Sequence, residues 1–67
     1  MQQRQIYAEI RRTSKYAYQG DAGELFPVTL AEGPSWEYIV VGGPGGQYRL
    51  DDVHLYIQHE GKATRIS

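Results

Sequence analysis

The chain contains no cysteine and no long apolar segment. Without cysteine there is no disulfide to stabilise a small domain and no thiolate to bind zinc. The longest aliphatic run, residues 39–41, is far shorter than the roughly 20 apolar residues that cross a bilayer. Residues 1–5 are polar and no apolar stretch follows them, so we expect no signal peptide. These features predict a cytoplasmic protein that makes no contact with a membrane.

Motifs for catalysis are also missing. Ser14, Ser35 and Ser67 have no spacing that ties them to a histidine and a carboxylate, as a nucleophilic triad requires. His54 and His59 would point to opposite faces of one strand, and no third ligand accompanies them. We therefore predict a protein that is not an enzyme and that has no metal site and no cofactor.

A glycine-rich segment, Gly-Gly-Pro-Gly-Gly at residues 42–46, lies between two strand-like runs. It does not fit the G-x-G-x-x-G phosphate-binding pattern, because Tyr48 stands where the last glycine is needed. Glycine and proline do not continue a helix, so the segment predicts a hairpin loop. Gly43 and Gly45 would let a partner approach the backbone of this loop closely.

The chain has 67 residues, which predicts a single domain over residues 1–67 with a small core. Its formal net charge is −1, so the whole chain is no polycation. Residues 1–18 are nevertheless basic and residues 19–37 are acidic. This asymmetry predicts a surface with two regions of opposite charge, although ordinary solvated charge explains it as well.

Alternation of apolar and polar residues predicts strands over residues 5–13, 24–31, 36–41, 47–50, 53–58 and 63–66. The segment at about residues 14–23 is predicted to be a loop, and Glu60-Gly61 a tight turn. Pro27 cannot donate a ladder hydrogen bond, so it favours an edge strand or a bulge. The fold class is therefore predicted as all-β, a small antiparallel barrel of five to six short strands.

The glycine hairpin sets the register of the middle strands. If the hairpin is simple, Val40 lies opposite Tyr48 and Val41 lies opposite Gln47. The face with Ile39 and Arg49 is then predicted to point outward. The inward residues are predicted to be Ile6, Ala8, Ile10, Phe26, Val28, Leu30, Trp36, Tyr38, Val40, Tyr48, Leu50, Val53, Leu55 and Ile57.

Aromatic and glycine residues follow a particular order between roughly residues 16 and 53. They are Tyr16-Ala17-Tyr18, Gly23-Glu24-Leu25-Phe26, Trp36, Gly46 with Tyr48, and Val53. This order resembles that of the SH3-like small barrels, which implies the same fold. The second tryptophan, the proline and the tyrosine of that family's ligand groove are not matched, and Arg49 and Asp52 stand near the last two positions. The resemblance therefore implies a fold and not polyproline binding.

Tyrosine and arginine are the main candidates for an interaction surface, because both are enriched at protein–protein hot spots. One group lies on a predicted outward strand face, and another lies on the first loop near Lys15. Tyrosine also occupies strands because of its β-propensity alone, so the pattern is not specific. The predicted partner-binding residues are Tyr7, Arg11, Arg12, Tyr16, Tyr18, Arg49 and Tyr56.

Three functions fit these features. The favoured one is a protein-binding module, such as a small inhibitor or regulator of bacterial or phage type. An alternative is a nucleic-acid-binding barrel, which would stack bases on tyrosine and contact phosphates. That surface would comprise Arg4, Arg11, Arg12, Lys15, Tyr16 and Tyr18. The remaining alternative is a structural subunit that self-associates through strand edges such as that of the first strand.

Overall fold

Six antiparallel strands form one sheet in the computed structural model, which describes residues 5–67. The order across the sheet is β4-β3-β2-β1-β5-β6. Two 3₁₀ turns, Ala17–Gln19 and Leu50–Asp52, lie in the connections. The all-β prediction is confirmed. The strands are β1 (Ile6–Ile10), β2 (Phe26–Leu30), β3 (Val40–Gly42), β4 (Gln47–Tyr48), β5 (Val53–His59) and β6 (Lys62–Arg65).

The connection between β4 and β5 requires the sheet to curve. Tyr48 and Val53 are joined by five Cα steps, which span at most about 18 Å when fully extended. In a flat sheet β4 and β5 would be separated by four strand spacings, or about 19 Å. The intervening 3₁₀ turn shortens the reach further, so the sheet bends and encloses the core. It is not closed into a barrel, since β4 and β6 are its two edges within residues 5–67.

The core lies on the side that the curved sheet encloses. The predicted register of the glycine hairpin is confirmed, with Val40 paired to Tyr48 and Val41 to Gln47. Ile6, Phe26 and Leu50 are partly buried and pack against the core. The fully buried part of the predicted inward set is Ala8, Ile10, Val28, Val40, Tyr48, Val53 and Leu55.

The predicted burial of Trp36 and Tyr38 is wrong. Their exposed fractions are 70% and 42%, whereas Ile39, which was assigned outward, is only 8% exposed. The strand does not begin until Val40, because residues 31–39 form an irregular connection with a turn from Pro34 to Glu37. Outside a strand the two-residue period does not apply, so neighbouring side chains no longer alternate between faces.

Two smaller corrections concern β2. Leu30 is 47% exposed, so its predicted burial is wrong. Pro27 is in an interior strand rather than an edge strand, but the β2–β3 ladder begins only at Val28. Pro27 therefore lies outside the β2–β3 ladder, so its lack of an N–H removes no hydrogen bond from that ladder. The predicted turn at Glu60-Gly61 is confirmed, and both residues have positive φ.

Candidate functional site

Three connections meet beside β4 and border an open groove of about 270 Å³. They are the first loop (residues 11–25), the β2–β3 connection (residues 31–39) and the glycine turn (residues 43–46). We call this feature the loop groove. Its lining combines aromatic rings, carboxamides and backbone. The lining residues are Tyr16, Gln19, Tyr38, Gly45 and Gln47.

Tyr16 and Tyr38 hold two of these connections together. Their phenolic oxygens lie 2.9 Å apart, and either hydroxyl can be the donor. The Tyr16 ring packs edge-on against the buried Tyr48 ring, with 5.8 Å between the ring centroids. The hydrogen bond with Tyr38 is the main reason why the pKa of Tyr16 is raised above 10.0, because it stabilises the neutral phenol. The first loop is thus anchored to the core, and the β2–β3 connection is anchored to the first loop.

The hydroxyl of Tyr48 positions the opposite side of the groove. It donates a hydrogen bond to Gln19 Oε1 at 2.5 Å and accepts one from the Gly45 N–H at 2.8 Å. A Cβ at position 45 would come within 2.8 Å of the Tyr48 hydroxyl oxygen. A side chain at position 45 would therefore have to displace the end of Gln19 or of Tyr48. One buried tyrosine thus positions both Gln19 and the glycine turn.

Two cations lie over the tyrosine rings of the groove. Lys15 Nζ is 5.2 Å from the Tyr16 ring centroid, and the Arg49 guanidinium carbon is 5.7 Å from that of Tyr38. Both distances fall within the range of cation–π attraction. The groove therefore combines two aromatic faces with positive charge.

Asp52 forms hydrogen bonds with Arg49 and with Ser14 at the start of the first loop. Its side chain is buried, and its Oδ2 accepts a hydrogen bond from Arg49 Nε at 3.4 Å. Its other oxygen, Oδ1, accepts one from the Ser14 hydroxyl at 3.1 Å. Asp52 thus connects the 3₁₀ turn before β5 to the start of the first loop.

A second tyrosine cluster lies on the face of the sheet opposite the core, which we call the outer face. Tyr7 and Tyr56 are paired across β1 and β5, and both are half-buried. Glu9 on the same face accepts hydrogen bonds from the Gly23 N–H at 2.7 Å and from the Tyr56 hydroxyl at 3.0 Å. The bond from Gly23 is the main reason why the pKa of Glu9 is lowered, and the bond to Glu9 raises the pKa of Tyr56. Glu9 therefore fastens the first loop to the outer face.

The residues predicted as one binding surface lie in separate places. Tyr16 and Gly45 line the loop groove, and Arg49 lies over one of its rings. Tyr18 is 82% exposed and accepts a hydrogen bond from Gln19 Nε2, but it does not line the groove. Tyr7 and Tyr56 belong to the outer face.

The two predicted arginines of the first loop make local backbone contacts. Arg11 Nε donates to the Val53 carbonyl oxygen, and an Arg12 guanidinium nitrogen donates to that of Ile10. Gly43 faces the Phe26 ring rather than open space. Arg4, part of the alternative nucleic-acid surface, lies outside the described residues.

Tyr38, Gln19 and Gln47 line the groove but are not among the binding residues predicted from the sequence. Tyr38 was assigned to the core because a strand was extended through residues 36–41. The signal that was available is Gly33-Pro34 just upstream, which favours an irregular connection over a strand start. No local sequence pattern predicts that the two glutamines line the groove.

Within residues 5–67, no group of three or more histidine, aspartate or glutamate side chains is arranged to hold a metal ion. Over the same residues, no helix has the length and apolar character needed to cross a membrane. Comparisons with protein-family models, with characterised proteins and with solved structures found no match to this chain.

Proposed function

We propose that this protein is a non-enzymatic protein-binding module that holds an extended segment of its partner in the loop groove. The observation that carries the proposal is the pair Tyr16 and Tyr38, which come from different connections and meet at the groove through their hydroxyls. Tyrosine supplies a large contact area and loses little side-chain freedom on binding. Such a module would act as an inhibitor or regulator by occupying the partner's surface.

The groove suits a peptide better than a small metabolite. Its volume of about 270 Å³ is at or below the lower end of typical ligand pockets. A groove of this size accommodates one or two side chains of an extended chain. Its residues are also held in place before binding, through the Tyr48 hydroxyl and the Asp52 carboxylate, and this lowers the entropic cost of association.

We also infer that the curved sheet is an SH3-like barrel that is left open between its edge strands. The resemblance in residue order supports this inference, as does the short 3₁₀ turn that joins β4 to β5. The position of β1 between β2 and β5 agrees with it, since it brings the first and last parts of the domain side by side. In such a fold the groove beside the first loop is a natural site for a partner.

Single-stranded nucleic acid is a second candidate, favoured by one observation. Lys15 and Arg49 lie over tyrosine rings, and nucleic-acid sites combine cations with stacking surfaces in this way. The net charge of −1 counts against it, because contacts to phosphates supply most of the affinity of such proteins.

Selection of peptides from a random display library tests the proposal. The wild-type protein is the bait, and each enriched peptide is measured again against Tyr38→Ala and Tyr18→Ala. Both tyrosines are exposed, so both variants should remain folded, but only Tyr38 lines the groove. We expect Tyr38→Ala to abolish binding and Tyr18→Ala to retain it. The reverse pattern, or no enrichment at all, would contradict a peptide site in the groove.

A further inference from the structure

We propose that the segment bound in the loop groove carries a carboxylate, so that the partner contributes an acidic extended peptide. This inference rests on the proposed function, because it specifies the chemistry of the ligand at that same groove. Its basis is the set of hydrogen-bonding groups and charges at the groove that have no partner within residues 5–67.

Several side-chain acceptors near the groove already have a donor. Gln19 Oε1 accepts from the Tyr48 hydroxyl. The two carboxylate oxygens of Asp52 accept from Ser14 and Arg49. Further along the first loop, Glu24 Oε1 accepts from the Asp21 N–H. Each of these oxygens is thus already engaged by one donor of the protein itself.

The donors, in contrast, are in excess. In the Tyr16–Tyr38 pair one hydroxyl donates to the other, so one O–H hydrogen stays free for a ligand. Arg49 uses Nε for Asp52, and its terminal nitrogens make no hydrogen bond within residues 5–67. The Gln47 side chain lines the groove and takes part in no hydrogen bond within that range, so it offers two N–H donors and one carbonyl acceptor. The unused side-chain donors therefore outnumber the unused side-chain acceptors, and this favours a ligand that brings acceptors.

The charges that contact the groove's aromatic rings are positive. Lys15 lies over the Tyr16 ring and forms no ion pair with any residue from 5 to 67. Arg49 lies over the Tyr38 ring and is paired through Nε alone. The exposed carboxylates of Asp51 and Glu37 are also unpaired within residues 5–67, but neither lines the groove. A carboxylate is the acceptor that carries the matching charge, and arginine can bind it through two nitrogens.

The test compares three sets of synthetic peptides with blocked ends. Each set is built on one peptide enriched by display selection, and its polar positions are filled with Glu, Gln or Lys. Affinities are measured at low and at high salt with wild-type protein, Lys15→Gln and the charge-matched control Lys62→Gln. Lys15 lies over the Tyr16 ring of the groove, whereas Lys62 lies on the edge strand β6.

We expect the Glu peptides to bind most tightly and the Lys peptides least tightly. Lys15→Gln should reduce the preference of Glu over Gln by about two- to fivefold, the range expected for an exposed ion pair. Lys62→Gln should leave the preference unchanged, and high salt should weaken it.

Binding of all three sets with equal affinity would overturn the carboxylate proposal while leaving the peptide groove intact. The carboxylate proposal would also be overturned if Lys62→Gln reduced the preference for Glu and Lys15→Gln did not. The charge effect would then come from a surface other than the loop groove. Failure of the display selection itself would instead contradict the proposed function, so the two failures are distinguishable.

Discussion

The hydroxyls of Tyr16 and Tyr38 lie 2.9 Å apart, although 22 positions separate the two residues in the sequence. Tyr16 rests on the buried Tyr48 ring, and Tyr38 belongs to a connection without regular structure. Their contact joins the first loop to the β2–β3 connection. It therefore couples the positions of the two connections that supply the groove's tyrosines.

Loss of the Tyr38 hydroxyl should change the titration of Tyr16. In Tyr38→Phe we expect the pKa of Tyr16 to fall towards 10.0, because the hydrogen bond that favours its neutral form is gone. Because the pKa of Tyr16 is higher in the folded state than in the unfolded state, this group stabilises the folded protein fully only below pH 10.0. That stabilisation is lost as the pH rises through the folded-state pKa. The alkaline loss of stability should therefore be smaller in Tyr38→Phe. NMR titration of the Tyr16 ring measures the first effect, and denaturant unfolding at several alkaline pH values measures the second. An unchanged Tyr16 titration would show that the contact does not form in solution.

The buried carboxylate of Asp52 should matter far more than its neighbour. Asp52→Ala removes the partner of the Ser14 hydroxyl and of Arg49 Nε, so we expect a loss of about 1–3 kcal/mol in the free energy of unfolding. Asp51→Ala, at the exposed adjacent position, should change it by no more than about 0.5 kcal/mol. Urea denaturation compares the two variants. Equal losses would contradict the role assigned to Asp52.

Glu9 should contribute to the stability of the protein only while it is ionised. Its pKa is lowered from 4.5, mainly by the hydrogen bond from the Gly23 N–H, so the stabilisation is present above pH 4.5 and is lost as pH falls through the folded pKa. We expect Glu9→Gln to be less stable than wild type at neutral pH and to lose less on acidification. The control is Glu60→Gln, in the exposed turn before β6. If Glu9→Gln and wild type show the same acid dependence, the carboxylate does not hold the first loop.

The two ends of the glycine turn should respond differently to alanine. Gly43 and Gly46 both have positive φ, so alanine at either position costs about 1–2 kcal/mol in backbone strain. A Cβ at Gly43 would in addition overlap the Phe26 ring, whereas a Cβ at Gly46 meets nothing within 4 Å. Thermal unfolding should therefore show Gly43→Ala to be less stable than Gly46→Ala by a further 1 kcal/mol or so. A larger loss for Gly46→Ala would contradict the packing of Phe26 on the turn.

The sequence was sufficient to predict the strands whose two faces differ in polarity. Ala8 and Ile10 alternate with Glu9, and Val53 and Leu55 with His54, so burial on one face follows from the period of a strand. The glycine hairpin also fixed the pairing of Val40 with Tyr48. Both predictions rest on the order of neighbouring residues, which can be read from a single sequence.

The loop groove could not be predicted in the same way, because it depends on contacts between distant residues. Tyr48 was correctly placed in the core, yet nothing in the sequence shows that its hydroxyl bonds Gln19 and Gly45. Tyr38 was misplaced because apolar alternation continues by chance through a segment that is not a strand. Side chains that project from irregular connections carry no periodic signal.

Binding of a peptide in the loop groove can be mapped by an amide NMR titration with an enriched display peptide. We expect shifts that concentrate at residues 16–19, 38 and 45–47, that saturate with peptide, and that vanish in Tyr38→Ala. Parallel titrations with single-stranded DNA and RNA measure the alternative. Shifts confined to the outer face around Tyr7 and Tyr56, or a response to nucleic acid alone, would show that the loop groove is not the peptide site.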